Sequence, residues 1–68
     1  MPIVTIQMLE GRDSEQKKEL IKKVTESITS TLQIPLERVR VIINEMAFEN
    51  YGIAGLPVLE YRKKLPAD

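Results

Sequence analysis

Proline at the second position is the residue of this chain with the least ordinary chemistry. If Met1 is removed, Pro2 carries a free secondary amine, which can act as a base. The reference pKa of a chain-terminal amine is about 7.7–8.0, and a prolyl amine is intrinsically more basic. An apolar site with cations nearby would therefore have to lower the pKa of this amine to free the base at pH 7. If Met1 is retained, Pro2 simply opens a strand, where its missing N–H costs nothing.

Two arginines are candidates for those cations. Arg12 follows the first apolar run, and Arg40 is the only cation in the segment VRVIINE. A guanidinium group can also match a carboxylate through paired hydrogen bonds. Each arginine also has a structural interpretation. Arg12 fits a solvated loop, and Arg40 fits a charge at a strand edge. Glu37 and Glu45 are possible ion-pair partners for Arg40. For each arginine considered alone, the structural interpretation is favoured.

The composition excludes several other chemistries. The chain has no histidine and no cysteine, so a Ser–His or Cys–His nucleophile is impossible, and we expect neither a metal nor a cofactor. Ten basic residues balance ten acidic ones and alternate with them along the chain, which argues against binding to nucleic acid or to an anionic membrane. No apolar run could span a bilayer and no signal peptide opens the chain, so we expect a cytoplasmic protein.

Two segments have the pattern of β-strands. Residues 2–9, PIVTIQML, are rich in β-branched side chains, with Val4, Ile6 and Met8 on one face at a period of two. Residues 39–45, VRVIINE, form a second strongly β-branched run. With a helix between them, these strands predict a right-handed βαβ unit in which the strands are parallel.

The segment between the strands predicts one amphipathic helix that ends at Leu32. Asp13 followed by Gln16 is a variant of the capping box, which predicts the helix start. Apolar residues then recur at spacings of three and four: Leu20, Ile21, Val24, Ile28 and Leu32. The lysines should lie on the solvated face rather than form a binding patch: Lys17, Lys18, Lys22 and Lys23.

The remainder of the chain predicts a loop or hairpin followed by a tail that clasps a partner, all within a single domain of residues 1–68. Gly52, Gly55 and Pro57 lie close together there. One helix on two parallel strands leaves a sheet face bare, a state that proteins normally avoid. A chain of 68 residues is also marginally stable alone, and without disulfides or a metal it needs self-association. We therefore expect a homo-oligomer.

Four segments in register resemble the 4-oxalocrotonate tautomerase family, small enzymes with an amino-terminal proline. They are PIVTIQMLEGR, EQKKELI, VRVIINEMA and NYGIAG. The resemblance runs from Pro2 to about Gly55 and omits the last dozen residues. It implies the tautomerase fold and a hexamer built from three dimers. It also implies an isomerase that interconverts enol and keto forms of an unsaturated oxo-acid or dicarboxylate such as 2-hydroxymuconate, in the breakdown of aromatic compounds.

The resemblance also implies a role for each candidate residue. Pro2, after removal of Met1, is similar to the general base. Arg12 is similar to the arginine that binds the distal carboxylate, and Arg40 to the one that a neighbouring subunit supplies to the other end of the substrate. Tyr51 replaces an aromatic residue, phenylalanine in the best-known member, that keeps the site dry and holds down the pKa of the proline. Its added hydroxyl needs a partner, which puts substrate preference in question.

Two alternatives to this function stay open. If Met1 is retained, Pro2 has no basic nitrogen, and the chain would be an inactive oligomeric scaffold or a ligand-binding homologue. The family also contains dehalogenases that hydrate chloroacrylates with an added arginine and a glutamate that activates water. Leu9 and Ile53 stand at the matching positions here. Because neither can position water, hydration ranks below tautomerisation.

Overall fold

The computed structural model describes residues 1–65 and contains the predicted βαβ unit. Strand β1 (Ile3–Leu9) pairs in parallel with strand β2 (Arg40–Met46), and helix α1 (Ser14–Leu32) connects them. The register runs from Ile3 opposite Arg40 to Leu9 opposite Met46. Strand β2 begins one residue later than predicted, because Val39 ends a short 3-10 turn at Leu36–Arg38.

Helix α1 begins and ends where the sequence predicts. The Asp13 carboxylate accepts a hydrogen bond from the Gln16 backbone N–H at 2.8 Å, and the Gln16 side chain accepts from the Asp13 backbone N–H at 3.4 Å. These reciprocal bonds form the capping box. At the other end, Gln33 adopts a left-handed conformation with φ of 58°, which stops the helix after Leu32.

One lysine of α1 departs from the predicted solvated face. The Lys17 ammonium pairs with the Glu45 carboxylate of β2 at 3.0 Å, with the two side chains about one-third exposed (30% and 32%). The periodicity could not reveal this contact, since it depends on how α1 crosses the sheet. Glu19 and Lys23 form a longer, solvated i, i+4 pair at 4.0 Å.

Helix α1 covers one face of the two-stranded sheet and leaves the other bare. Val4 and Ile6 are half-buried beneath the helix, and their strand partners Val41 and Ile43 lie on the same face. On the opposite face, Ile3 is 63% exposed and Ile42 is 47% exposed. The prediction of a bare sheet face is therefore confirmed.

The C-terminal segment contains the predicted hairpin and an additional helix. Strands β3 (Gly52–Ile53) and β4 (Leu56–Pro57) pair in antiparallel fashion. Helix α2 (Val58–Lys63) follows directly, within the segment predicted to be a partner-clasping tail, and the end of that segment lies outside the described residues. The Val58 backbone N–H donates to the Tyr51 carbonyl at 2.8 Å, and Val58 is only 1% exposed. A helix of six residues is too short for its periodicity to be read from the sequence.

Candidate active site

A cavity of about 690 Å³ lies at the carboxyl end of the two parallel strands. The residues that line it are residues 7–12, Gln16, Met46, Phe48, Tyr51 and Arg62. Strands β1 and β2 are parallel, so both end at this edge of the sheet. The segments that follow them diverge there and leave a crevice between them. The wall combines apolar and aromatic side chains with a few charges, as ligand sites commonly do.

Arg12 reaches this cavity because the chain turns sharply after β1. The Glu10 N–H donates to the Met46 carbonyl at 2.9 Å, which continues the strand pairing past Leu9. Gly11 then takes a φ of 126°, a backbone conformation that residues with side chains rarely adopt. Within residues 1–65, the Arg12 guanidinium has no carboxylate within 4.0 Å.

Tyr51 lines the same cavity. It follows the short 3-10 turn Phe48–Asn50, and the hydrogen bond from Val58 holds its carbonyl. The structure therefore brings together Arg12 and Tyr51, two of the residues predicted from the sequence. Tyr51 is 41% exposed, so a single chain does not by itself exclude water from this site.

Pro2 and Arg40 lie at the opposite end of the strand pair. The Arg40 backbone N–H donates to the Pro2 carbonyl at 3.0 Å. Six steps along β1 separate Ile3 from Leu9, which at about 3.3 Å per residue is roughly 20 Å. One chain therefore does not place Pro2 in the cavity that Arg12 lines.

The Arg40 side chain contacts backbone carbonyls. Its guanidinium donates to the carbonyl of Glu37 and, at 3.5 Å, to that of Val39. The possible ion pair with Glu45 is wrong, because Glu45 pairs with Lys17. Glu37 is a neighbour of Arg40, but through its backbone oxygen rather than its carboxylate.

Met1 precedes Pro2 in the structure, so the Pro2 nitrogen is part of an amide and has no basicity in this form. Met1 is 75% exposed, and Pro2 is half-buried. Among residues 1–65, no three His, Cys, Asp or Glu side chains come together where they could hold a metal ion. In the same residues, no helix is both long and apolar enough to cross a membrane.

Phe48 and Arg62 are among the residues lining the cavity that sequence reasoning missed. Phe48 is the only phenylalanine of the chain and stands three residues before Tyr51, which was a usable signal for an aromatic wall. Arg62 had no such signal, because its position depends on helix α2 and on the turn that brings α2 back to the strand ends.

The sequence matches the family model described as "Tautomerase enzyme" over residues 2–61. It is 46% identical over 63 residues to 2-hydroxymuconate tautomerase from a Pseudomonas species, covering 93% of this chain and all of that protein. Among solved structures, it is similar to a 4-oxalocrotonate tautomerase isozyme from Methylibium petroleiphilum, with a TM-score of 0.85, 33% identity and coverage of 94% and 100% of the two chains. A heterohexameric 4-oxalocrotonate tautomerase from Chloroflexus aurantiacus gives a TM-score of 0.82 at 35% identity, covering 88% of this chain and 97% of that one.

Proposed function

The chain belongs to the 4-oxalocrotonate tautomerase family and is an isomerase, and from this premise we propose that it interconverts the enol and keto forms of an unsaturated oxo-acid or dicarboxylate such as 2-hydroxymuconate. The observation that carries the proposal is that Arg12 and Tyr51 line one cavity, together with other apolar and aromatic side chains. A guanidinium there can hold a carboxylate while the aromatic side chains contact a planar conjugated chain.

In this proposal Pro2 is the general base once Met1 has been removed. Its nitrogen accepts the hydroxyl proton of the dienol as the C=O bond forms and the double bonds shift. The resulting ammonium returns a proton to a carbon of the conjugated chain. Substrate and product therefore contain the same atoms, and the reaction needs no cofactor. A positioned base contributes about 10²–10⁴ in rate. Further acceleration requires stabilising the charge that develops on the substrate, which is the role we propose for Arg40.

The separation of the two strand ends makes this site dependent on assembly. Pro2 and Arg12 lie roughly 20 Å apart along one chain, so a pocket that uses both must take them from different chains. We propose that Arg40 also enters from a neighbouring subunit. The bare face with Ile3 and Ile42 supports self-association, and we propose a homohexamer. The heterohexameric relative shows that six-chain assemblies occur among similar proteins.

A ketonisation assay tests the proposed reaction. The ultraviolet absorbance of 2-hydroxymuconate and of the monocarboxylate phenylenolpyruvate is followed after addition of enzyme, and intact mass establishes whether Met1 is absent. Protein lacking Met1 should ketonise the dicarboxylate, and chemical blocking of its amine should lower the rate about 10²–10⁴-fold. Equal rates before and after blocking would remove Pro2 from the mechanism.

The same measurement separates the enzyme from its alternatives. A full-length mass together with no turnover would favour an inactive scaffold or ligand-binding homologue. Hydration of chloroacrylates is disfavoured because Leu9, at the matching position, presents an apolar side chain to the cavity. A role in the breakdown of aromatic compounds and a cytoplasmic location both stay predictions.

A further inference from the structure

Lys17 of helix α1 and Glu45 of strand β2 form an ion pair next to the loop that carries Arg12. We propose that this pair positions Arg12, because it fixes the start of α1 on the sheet and so sets where the Arg12 guanidinium meets a substrate carboxylate. This inference rests on the proposed function, in which Arg12 binds the distal carboxylate. Neither Lys17 nor Glu45 lines the cavity of about 690 Å³, so neither would contact the substrate.

The first support is that the pair joins the helix to the sheet. The Lys17 ammonium donates to the Glu45 carboxylate at 3.0 Å. Among residues 1–65, this is the one side-chain hydrogen bond or ion pair between α1 and either strand of the parallel pair. Both side chains are partly shielded from water, and such a pair holds more firmly than a fully solvated one because the effective dielectric around it is lower.

The second support is the freedom of the loop that carries Arg12. The strand end of this loop is fixed, because the Glu10 N–H donates to the Met46 carbonyl at 2.9 Å. Gly11 comes next, and a Cβ at that residue would meet nothing within 4 Å. Neither a side chain nor close packing therefore restricts the backbone at Gly11. The strand end alone does not determine where Arg12 lies.

The helix end of the loop supplies the missing constraint. Arg12 directly precedes Asp13, whose carbonyl accepts a hydrogen bond from the Lys17 backbone N–H at 3.2 Å. Lys17 is therefore bonded through its backbone to the residue after Arg12 and through its side chain to β2. Glu45 and Met46 are adjacent on β2, so both ends of the loop are tied to neighbouring residues of one strand. A shift of α1 on the sheet would move Arg12 with it.

The third support is open space beside Arg12. A second cavity, of about 200 Å³, is lined by residues of β1, of the loop and of α1: Met8, Arg12, Gln16, Lys17 and Leu20. Arg12 borders this cavity as well as the larger one. Within residues 1–65 no carboxylate lies within 4.0 Å of the Arg12 guanidinium, so no ion pair of its own fixes it. The placement of Arg12 therefore depends on the backbone that carries it.

The test removes each charge of the pair in turn and measures binding of trans,trans-muconate, an unreactive hexadienedioate, by calorimetry on the assembled protein. Glu45→Gln and Lys17→Met both break the pair, and each should raise the Kd of muconate about fivefold. A direct effect of charge on the ligand would give opposite signs, because Glu45→Gln makes the site more positive and Lys17→Met makes it less positive. Opposite signs, or an unchanged Kd in both variants, would overturn the proposal.

Matched controls separate positioning from a general loss of structure. Glu19→Gln and Lys23→Met break the solvated pair on the same helix, and neither should change the Kd of muconate. Exchanging the charges, with Lys17→Glu and Glu45→Lys in one chain, rebuilds the pair and should return the Kd toward that of wild type. This exchange also decides the question if Lys17→Met fails to assemble. An equal loss in the control variants, or no recovery in an assembled charge exchange, would overturn the proposal.

A double-mutant cycle tests whether the pair acts through Arg12. Adding Glu45→Gln to Arg12→Ala should raise the Kd of muconate less than about 1.5-fold beyond Arg12→Ala alone, because no guanidinium is left to misplace. Full additivity of the two changes would show that the pair acts on binding by another route, and it would overturn the proposal.

Binding and turnover distinguish failure of this inference from failure of the proposed function. Wild type that binds muconate but does not ketonise 2-hydroxymuconate would contradict the proposed reaction, and the Kd values of the pair variants would still decide the role of the pair. An active wild type whose muconate Kd is unchanged by Glu45→Gln would contradict only the role of the pair. A muconate Kd that Arg12→Ala leaves unchanged would overturn this inference, because Arg12 would then not bind the carboxylate.

Discussion

The two ends of the parallel strand pair carry different parts of the candidate site. At the amino end, Pro2 and Arg40 are joined through their backbones, and the Arg40 guanidinium contacts backbone carbonyls. At the carboxyl end, Arg12 and Tyr51 line a cavity of about 690 Å³. The amino end therefore holds the proposed base without a pocket, and the carboxyl end holds a pocket without a base. On the proposed mechanism, a single chain is therefore only part of an enzyme.

Replacing the arginine at each end should have different kinetic consequences. Arg40→Ala should lower kcat about 10²–10³-fold, because the contact of the Arg40 guanidinium with the substrate strengthens as charge develops on the substrate. Arg12→Ala should instead raise KM for dicarboxylates, lowering kcat/KM about a hundredfold, and should spare monocarboxylate enols. Steady-state kinetics on 2-hydroxymuconate and phenylenolpyruvate measure both effects. If the two variants lose the same activity on both substrates, the proposed division of roles is wrong.

The stability of the protein should also depend on how helix α2 is anchored at the carboxyl end of the strand pair. Val58 is 1% exposed, whereas Leu59 beside it is 51% exposed. Val58→Ala should cost about 1–3 kcal/mol of unfolding free energy, because it removes buried apolar surface and leaves a void. Leu59→Ala is the control and should cost less. Urea unfolding at fixed protein concentration checks both. A cost for Leu59→Ala equal to that of Val58→Ala would contradict the burial seen in the chain.

A smaller effect is expected at the hairpin turn that precedes α2. Ala54 and Gly55 have φ of 54° and 84°, as both central residues of a type I′ turn require. Ala54→Gly should stabilise the protein by about 1 kcal/mol, since alanine is strained in this region. Gly55→Ala should destabilise it by a similar amount, although a Cβ there would meet nothing within 4 Å. The urea midpoint should shift upward for Ala54→Gly and downward for Gly55→Ala. A loss of stability on Ala54→Gly would contradict the claim that Ala54 is strained.

The same two regions differ in how far the sequence predicts them. Helix α1 could be placed from the capping box at Asp13 and the apolar spacing up to Leu32, because both signals are local. Helix α2 could not, because its position depends on Val58 packing beneath the hairpin and bonding to Tyr51. The candidate site follows the same division. Arg12 and Tyr51 were identified through the family resemblance, whereas Arg62 could be identified only from the cavity that the fold creates.

Subunit mixing tests most directly the claim that one pocket takes Pro2 and Arg12 from different chains. One variant has a blocked terminal amine and an intact Arg12, and the other has a free Pro2 and carries Arg12→Ala. They are unfolded together and reassembled in equal amounts, and wild type taken through the same cycle sets the scale. Rates are measured well below KM, where they report kcat/KM.

If each pocket takes Pro2 and Arg12 from different chains, random mixing should restore about one quarter of wild-type activity, well above either variant alone. Native mass spectrometry confirms that mixed assemblies have formed. Mixed assemblies with activity no higher than the two variants refolded separately would contradict the account, because the base and Arg12 would then act within one chain.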